Sequence, residues 1–114
     1  MIEKGFYYHY KHDSSKGVHD ASYEVIGNAF DTEAGGNVHS DDPDSFFATE
    51  VVIYRPLFED SLVYKAGKRY WARPAKMFLD EVEKDGATVK RFQKITDQTL
   101  VDKLEKIRLK MYGE

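Results

Sequence analysis

No cysteine occurs among the 114 residues, and only three are proline. Without cysteine there is no disulfide, no thiol nucleophile and no cysteine-based zinc site. Positive charge is not in excess either: 17 Lys and Arg against 20 Asp and Glu leave a formal net charge of −3. No global field therefore draws the chain to nucleic acid or to an anionic membrane, and any binding of a polyanion has to come from a local patch. Long apolar runs are missing as well. The N-terminal stretch MIEKGFYYHYKHD carries none, so neither a signal peptide nor a transmembrane helix is predicted. A cytoplasmic protein without a membrane partner is expected.

Chemical signatures are equally sparse. No P-loop or dinucleotide fingerprint is present, and Ser14, Ser15, Ser22 and Ser40 lack a nucleophile-elbow context. The segments HDSSKGVHD and His39-Ser40-Asp41-Asp42 hold oxygen and imidazole groups, but without EF-hand or HExxH spacing. They are read as solvated loop, and no metal or cofactor is expected.

What the chain does have is one domain's worth of sequence, rich in rings. Its length suits a single domain over residues 1–114, and 41% hydrophobic with 32% charged residues argues against disorder. Eight Tyr and seven Phe raise the aromatic share to 14%. Tyrosine, apolar with a polar tip, suits small barrels and ligand-facing walls.

Residues 5–11, GFYYHYK, have strand propensity. ASYEVIGNAF alternates with apolar residues on both sides, which predicts a strand covered on both faces, and Gly27 in its middle predicts a bulge. Residues 31–45 make a long acidic loop with no Lys or Arg, predicted to be flexible. FFATEVVIYR is the strongest strand, ended by Pro56. A short strand is expected around Leu62–Tyr64, and another at KRYWAR, after which Pro74 opens a helical turn within PAKMFLDEV. The Lys84-Asp85-Gly86 turn leads into ATVKRFQKI as the last strand. Beyond it Thr96 or Asp97 caps a helix over about 97–112, with Leu100, Leu104, Ile107 and Met111 on one stripe and Leu109 off it. The stripe is expected to pack on the core, the alternative being a dimer seam. The expected fold class is thus mainly β (α+β). It is a small twisted β-barrel of Src-homology-3-like type over about 5–95, with a C-terminal α-helix.

The phrases GFYYHYK, YEVIGNA, VVIYRPLF, YWARPAKMFLDEV and KRFQKI occur in this order. Together they resemble the bacterial and phage family called domain of unknown function 1653, over roughly residues 5–95. The chain departs from the family pattern at Tyr8, where an arginine is usual, and at Lys90, where a proline is usual. It also has a longer loop at 31–45 and an added C-terminal helix. The resemblance implies a fold and a candidate surface in a bacterial or phage protein, acting in the host cytoplasm if phage-encoded. It implies no mechanism.

Tyr54-Arg55-Pro56 and Trp71-Ala72-Arg73-Pro74 are the sharpest features. Each puts an arginine beside rings and just before a residue that ends a strand. A guanidinium is a planar fork for phosphate or carboxylate, and a ring can stack on a base. Neighbours on a strand point to opposite faces, so Arg55 is expected to meet Arg73, or residues of other strands such as His9 and Tyr7, rather than Tyr54. His9 is the one side chain there suited to proton transfer or phosphate donation near neutral pH.

The expected function is a non-catalytic module that recognises a small anionic or nucleotide-like ligand through Arg55, Arg73, His9, Tyr7, Tyr54 and Trp71. Two alternatives stay open. In one, the chain is a protein–protein or homo-oligomer module, and its arginines are structural, paired with Asp80, Glu81 or Glu83. In the other, it is a hydrolase-like enzyme working through His9 with the arginines as anion clamps. Lys65, Lys68, Arg69 and Arg73 interleave with Tyr64, Tyr70 and Trp71 as in nucleic-acid patches. The acidic loop and net charge nevertheless argue against an extended nucleic acid.

Overall fold

β-branched and aromatic residues favour a pleated, half-buried surface, and the segments richest in them pair into one antiparallel sheet. The computed structural model describes residues 2–30, 50–67 and 70–114. The acidic loop at 31–45 and the first residues of FFATEVVIYR lie outside the described residues, as do Lys68 and Arg69. The sheet contains β1 (Gly5–His9), β2 (Ser22–Phe30), β3 (Glu50–Pro56), β4 (Trp71–Pro74) and β7 (Phe92–Lys94) in the order β4-β3-β2-β1-β7. A separate hairpin joins β5 (Glu81–Lys84) to β6 (Ala87–Lys90). Helical turns α1 (Leu62–Lys65) and α2 (Ala75–Phe78) flank β4, and the long helix α3 (Gln98–Tyr112) follows β7.

The protein is mainly β with one C-terminal helix. The sheet is open: no ladder joins its outer strands β4 and β7 among the described residues, so no closed barrel is found.

Local chemistry explains where sequence and structure agree and where they part. The register of β2 against β3 shifts between Val25 and Gly27, a bulge at the expected glycine. Asp97 caps α3, its Oδ1 accepting from the Thr99 and Leu100 amides at 2.9 and 3.3 Å. Gly113 closes it with φ 72°, a left-handed conformation suited to glycine. Leu62–Tyr64 is helical rather than extended, the Lys65 amide donating to the Ser61 carbonyl at 3.0 Å. The segment expected as one strand, ATVKRFQKI, is broken at Arg91. Lys90 belongs to the β5–β6 hairpin, whereas Phe92 pairs with His9 of β1. Glu81 and Val82, at the end of PAKMFLDEV, belong to strand β5 rather than to a helical turn, and the Asp85-Gly86 turn, with φ of 53° and 80°, folds β5 back onto β6.

Strand register sorts the side chains into two layers. Tyr7, Val25, Val52, Tyr54 and Phe92 form the front layer with Phe78 and Ala75 of α2, and Tyr23 and Trp71 pack against them. Phe6, Leu57, Ile95 and Leu104 form the reverse layer, which α3 covers with Leu100, Val101, Ile107 and Tyr112. The predicted helix stripe therefore packs on the sheet, Leu104 being fully buried and Leu109 59% exposed. No described helix is long and apolar enough to cross a membrane.

Candidate functional site

Arg55 and Arg73 do not converge, and the register says why. Arg73 on β4 stands opposite Val52 on β3, and Trp71 stands opposite Tyr54. Residues paired across an antiparallel ladder share a face, and the face alternates along each strand. Arg73 and Trp71 thus lie with Val52 and Tyr54 on the front layer, while Arg55 points to the reverse. The expected meeting of Arg55 with Arg73, His9 and Tyr7 is therefore corrected.

On the reverse face Arg55 is 3% exposed and fully engaged. Its Nε and Nη2 both lie 3.0 Å from Glu24 Oε1, and its Nη1 lies 3.3 Å from Glu114. Its guanidinium stacks 4.2 Å from the Tyr112 ring centre. Glu24 is shared with α3, whose Arg108 donates to Oε2 at 2.6 Å. This set of charges fastens α3 to the sheet. The expected partners Asp80, Glu81 and Glu83 make no ion pair with either arginine among the described residues.

The other five candidates share the front face. Trp71 and Tyr54 meet edge-to-face at 5.8 Å, and Tyr7 packs edge-on against Phe78 at 5.4 Å. Arg73 Nε donates to the Tyr54 hydroxyl at 3.1 Å, and its guanidinium carbon lies 5.6 Å from the Phe92 ring centre. No carboxylate among the described residues pairs with it. His9 stands edge-on to the same Phe92 ring at 5.1 Å. His9 and Arg73 thus both lie against the Phe92 ring, although they line different hollows.

The state of His9 follows from its surroundings. Burial, aided by the positive charges of Lys11, Arg91 and Arg73, pushes its pKa down to about 4. The ring is therefore neutral at physiological pH. Its Nδ1 accepts from the Lys11 amide at 3.2 Å, which leaves the proton on Nε2 as a donor.

Tyr23 and Phe92 were not singled out from the sequence. Tyr23 meets Tyr54, Trp71, Phe92 and Phe58 at 5.5–6.1 Å. Burial pushes its pKa up to about 12, so its hydroxyl keeps its proton. With His9, Lys11, Phe58 and Asp60 it lines a cleft of about 340 Å³. Tyr54, Trp71, Arg73 and Met77 line a second, more open hollow of about 410 Å³. The alternation of YEVIGNA did contain a signal for Tyr23, since it falls on the same side as Val25. Phe92 gave none, because Arg91 interrupts its strand.

The pairing that builds this face lies entirely within residues 5–94, the segment that matches the protein family of unknown function DUF1653. The chain belongs to that family. In this DUF1653 protein β1 to β7 fall inside the matched segment, whereas α3 lies beyond it. No curated protein and no solved structure matches the chain.

Proposed function

We propose that this DUF1653 protein is a non-catalytic binding module whose front face recognises a small, planar, anionic ligand of nucleotide-like chemistry. The observation that carries this reading is that His9 and Arg73 both lie against the Phe92 ring, 5.1 and 5.6 Å from its centre, with Arg73 lacking a carboxylate partner among the described residues. A guanidinium held by one Nε–H donor still offers its Nη groups to an anion. Trp71 and Tyr23 offer ring surface beside it, and base–aromatic stacking contributes roughly 1–3 kcal/mol. Arg55 is no part of this site; its role is to hold α3.

The chemistry of His9 supports binding over hydrolysis. A general base works best with a pKa near the operating pH, and His9 at about 4 lies well below it. With Nδ1 taken by the Lys11 amide, the ring offers a hydrogen-bond donor rather than a proton acceptor. The Src-homology-3-like barrel belongs to this proposal as the curl that would make the front face concave. The setting would be the cytoplasm of a bacterium, or of a phage-infected host.

A thermal-shift panel of nucleotides and aromatic carboxylates tests the reading, followed by calorimetry on Trp71→Ala and Arg73→Lys. Stabilisation of the wild type by at least one panel member, lost in both variants, is expected. If no compound shifts the melting temperature at millimolar concentration, the face is not a binding site of this kind.

A further inference from the structure

One corner of the sheet gathers positive charge around a neutral ring. β1 ends at His9 and runs on to Lys11, whose ammonium lies 5.8 Å from the Tyr10 ring centre. Opposite it the Tyr10 amide donates to the Arg91 carbonyl at 2.8 Å, placing Arg91 directly before Phe92 at the start of β7. Lys84 of the hairpin reaches the same corner, its ammonium donating to the Tyr10 carbonyl at 2.7 Å. Arg73 arrives from β4 over Phe92.

None of Lys11, Arg73, Lys84 and Arg91 forms an ion pair with a carboxylate among the described residues. The Arg91 Nε is buried and donates to nothing among the described residues, an orphan that is costly to leave unsatisfied. Lys11, Arg91 and Arg73 all bear on His9 as positive charges. Asp20 and Asp60 also line the cleft beside His9; neither pairs with these cations among the described residues, and Asp20 Oδ2 accepts from the Asp13 amide at 2.9 Å.

We infer that the anionic group of the ligand is a phosphomonoester dianion seated at this corner, with Arg73, Lys11 and Arg91 supplying charge and His9 Nε2 a donor. The inference rests on the front-face reading above and makes it specific. A carboxylate brings one negative charge and two acceptor oxygens. A phosphomonoester brings nearly two charges and three acceptors, which better matches several unpaired cations beside an uncharged donor.

Calorimetry with four probes on the full chain decides it: adenosine 5′-monophosphate, adenosine-5′-carboxylate, adenosine and inorganic phosphate. The monophosphate is expected to bind at least about tenfold more tightly than the carboxylate, as charge-assisted contacts predict. Inorganic phosphate alone should bind more weakly than the ester. Lys11→Met and Arg91→Met should each bring the monophosphate down toward the carboxylate while leaving adenosine binding unchanged. Equal affinity for monophosphate and carboxylate would overturn the phosphate assignment and leave the front-face reading standing, and so would unchanged monophosphate binding in both variants. Inorganic phosphate bound as tightly as the ester would overturn the phosphomonoester. Failure of all four probes to bind would overturn both readings.

Discussion

Glu24 stands between Arg55 and Arg108, giving Oε1 to the first at 3.0 Å and Oε2 to the second at 2.6 Å. One arginine belongs to the sheet and the other to α3, so a single carboxylate from β2 ties the two layers together. The Glu24 and Arg55 side chains are 11% and 3% exposed. A charge buried this deeply tolerates its position only while its partner is there.

Removing one partner of that pair should therefore cost about 3–5 kcal/mol. Arg55→Met and Glu24→Gln are both expected to lower the melting temperature by more than about 10 °C. Thermal unfolding followed by circular dichroism measures it. A shift of a degree or two in both variants would show that the pair does not hold α3.

The two arginines of the aromatic–arginine–proline phrases should behave oppositely under the same change. Arg55→Lys loses contacts to Glu24, Glu114 and the Tyr112 ring. Arg73→Lys loses one hydrogen bond to the Tyr54 hydroxyl, a difference of about 1 kcal/mol. Arg55→Lys is therefore expected to destabilise several-fold more, and Arg73→Lys alone to weaken ligand binding, by about 1–3 kcal/mol. Equal loss of stability in both would contradict the opposite-face assignment.

The residues of this candidate site were legible in the sequence, but their partition between the two faces was not. Alternation along β3 separated Tyr54 from Arg55, and a shared aromatic character pointed to Tyr7, His9 and Trp71. The phase of one strand against the next, however, is fixed by register, here Val52 against Arg73, and nothing local encodes it. The matching arginine–proline phrases suggested a symmetry the antiparallel pairing removes. Glu24 was invisible for a related reason. Nothing local in YEVIGN marks it as a buried charge, because its partners Arg55 and Arg108 lie 31 and 84 residues away. By contrast α3 was legible, since its cap, stripe and terminal glycine are all local signals.

His9 makes stability sensitive to acid. Its folded pKa of about 4 lies below the ordinary value of 6.5, so the unfolded chain takes up a proton first as pH falls. Stability linked to His9 is thus fully present above about pH 6.5 and is lost as the pH falls toward 4. An NMR titration should place the His9 midpoint at about 4, well below that of an unperturbed histidine. His9→Gln should flatten the fall in melting temperature between pH 6.5 and 4. A midpoint near 6.5 for His9 would refute this and weaken the argument for a neutral donor.

The family match ends at residue 94, which raises the question of whether the sheet stands without α3. Its reverse layer argues that it does not. Phe6, Leu57 and Ile95 are each at most 7% exposed, and α3 supplies the fully buried Leu104 against them. Tyr112 adds a hydroxyl bond to the Pro56 carbonyl at 2.7 Å. Burying large apolar side chains contributes roughly 1.5–3 kcal/mol each, and domains of this size have about 5–15 kcal/mol in total. Loss of several such contacts, together with exposure of the Glu24–Arg55 pair, exceeds what the sheet can spare. A chain cut after Ile95 is expected to lose its cooperative melt and to bind a hydrophobic dye such as ANS. Leu104→Ala, a milder probe of the same contact, should cost about 2–5 kcal/mol. A truncated chain that stays monomeric and melts cooperatively near the wild-type temperature would show that α3 is an accessory to the DUF1653 sheet rather than half of its core.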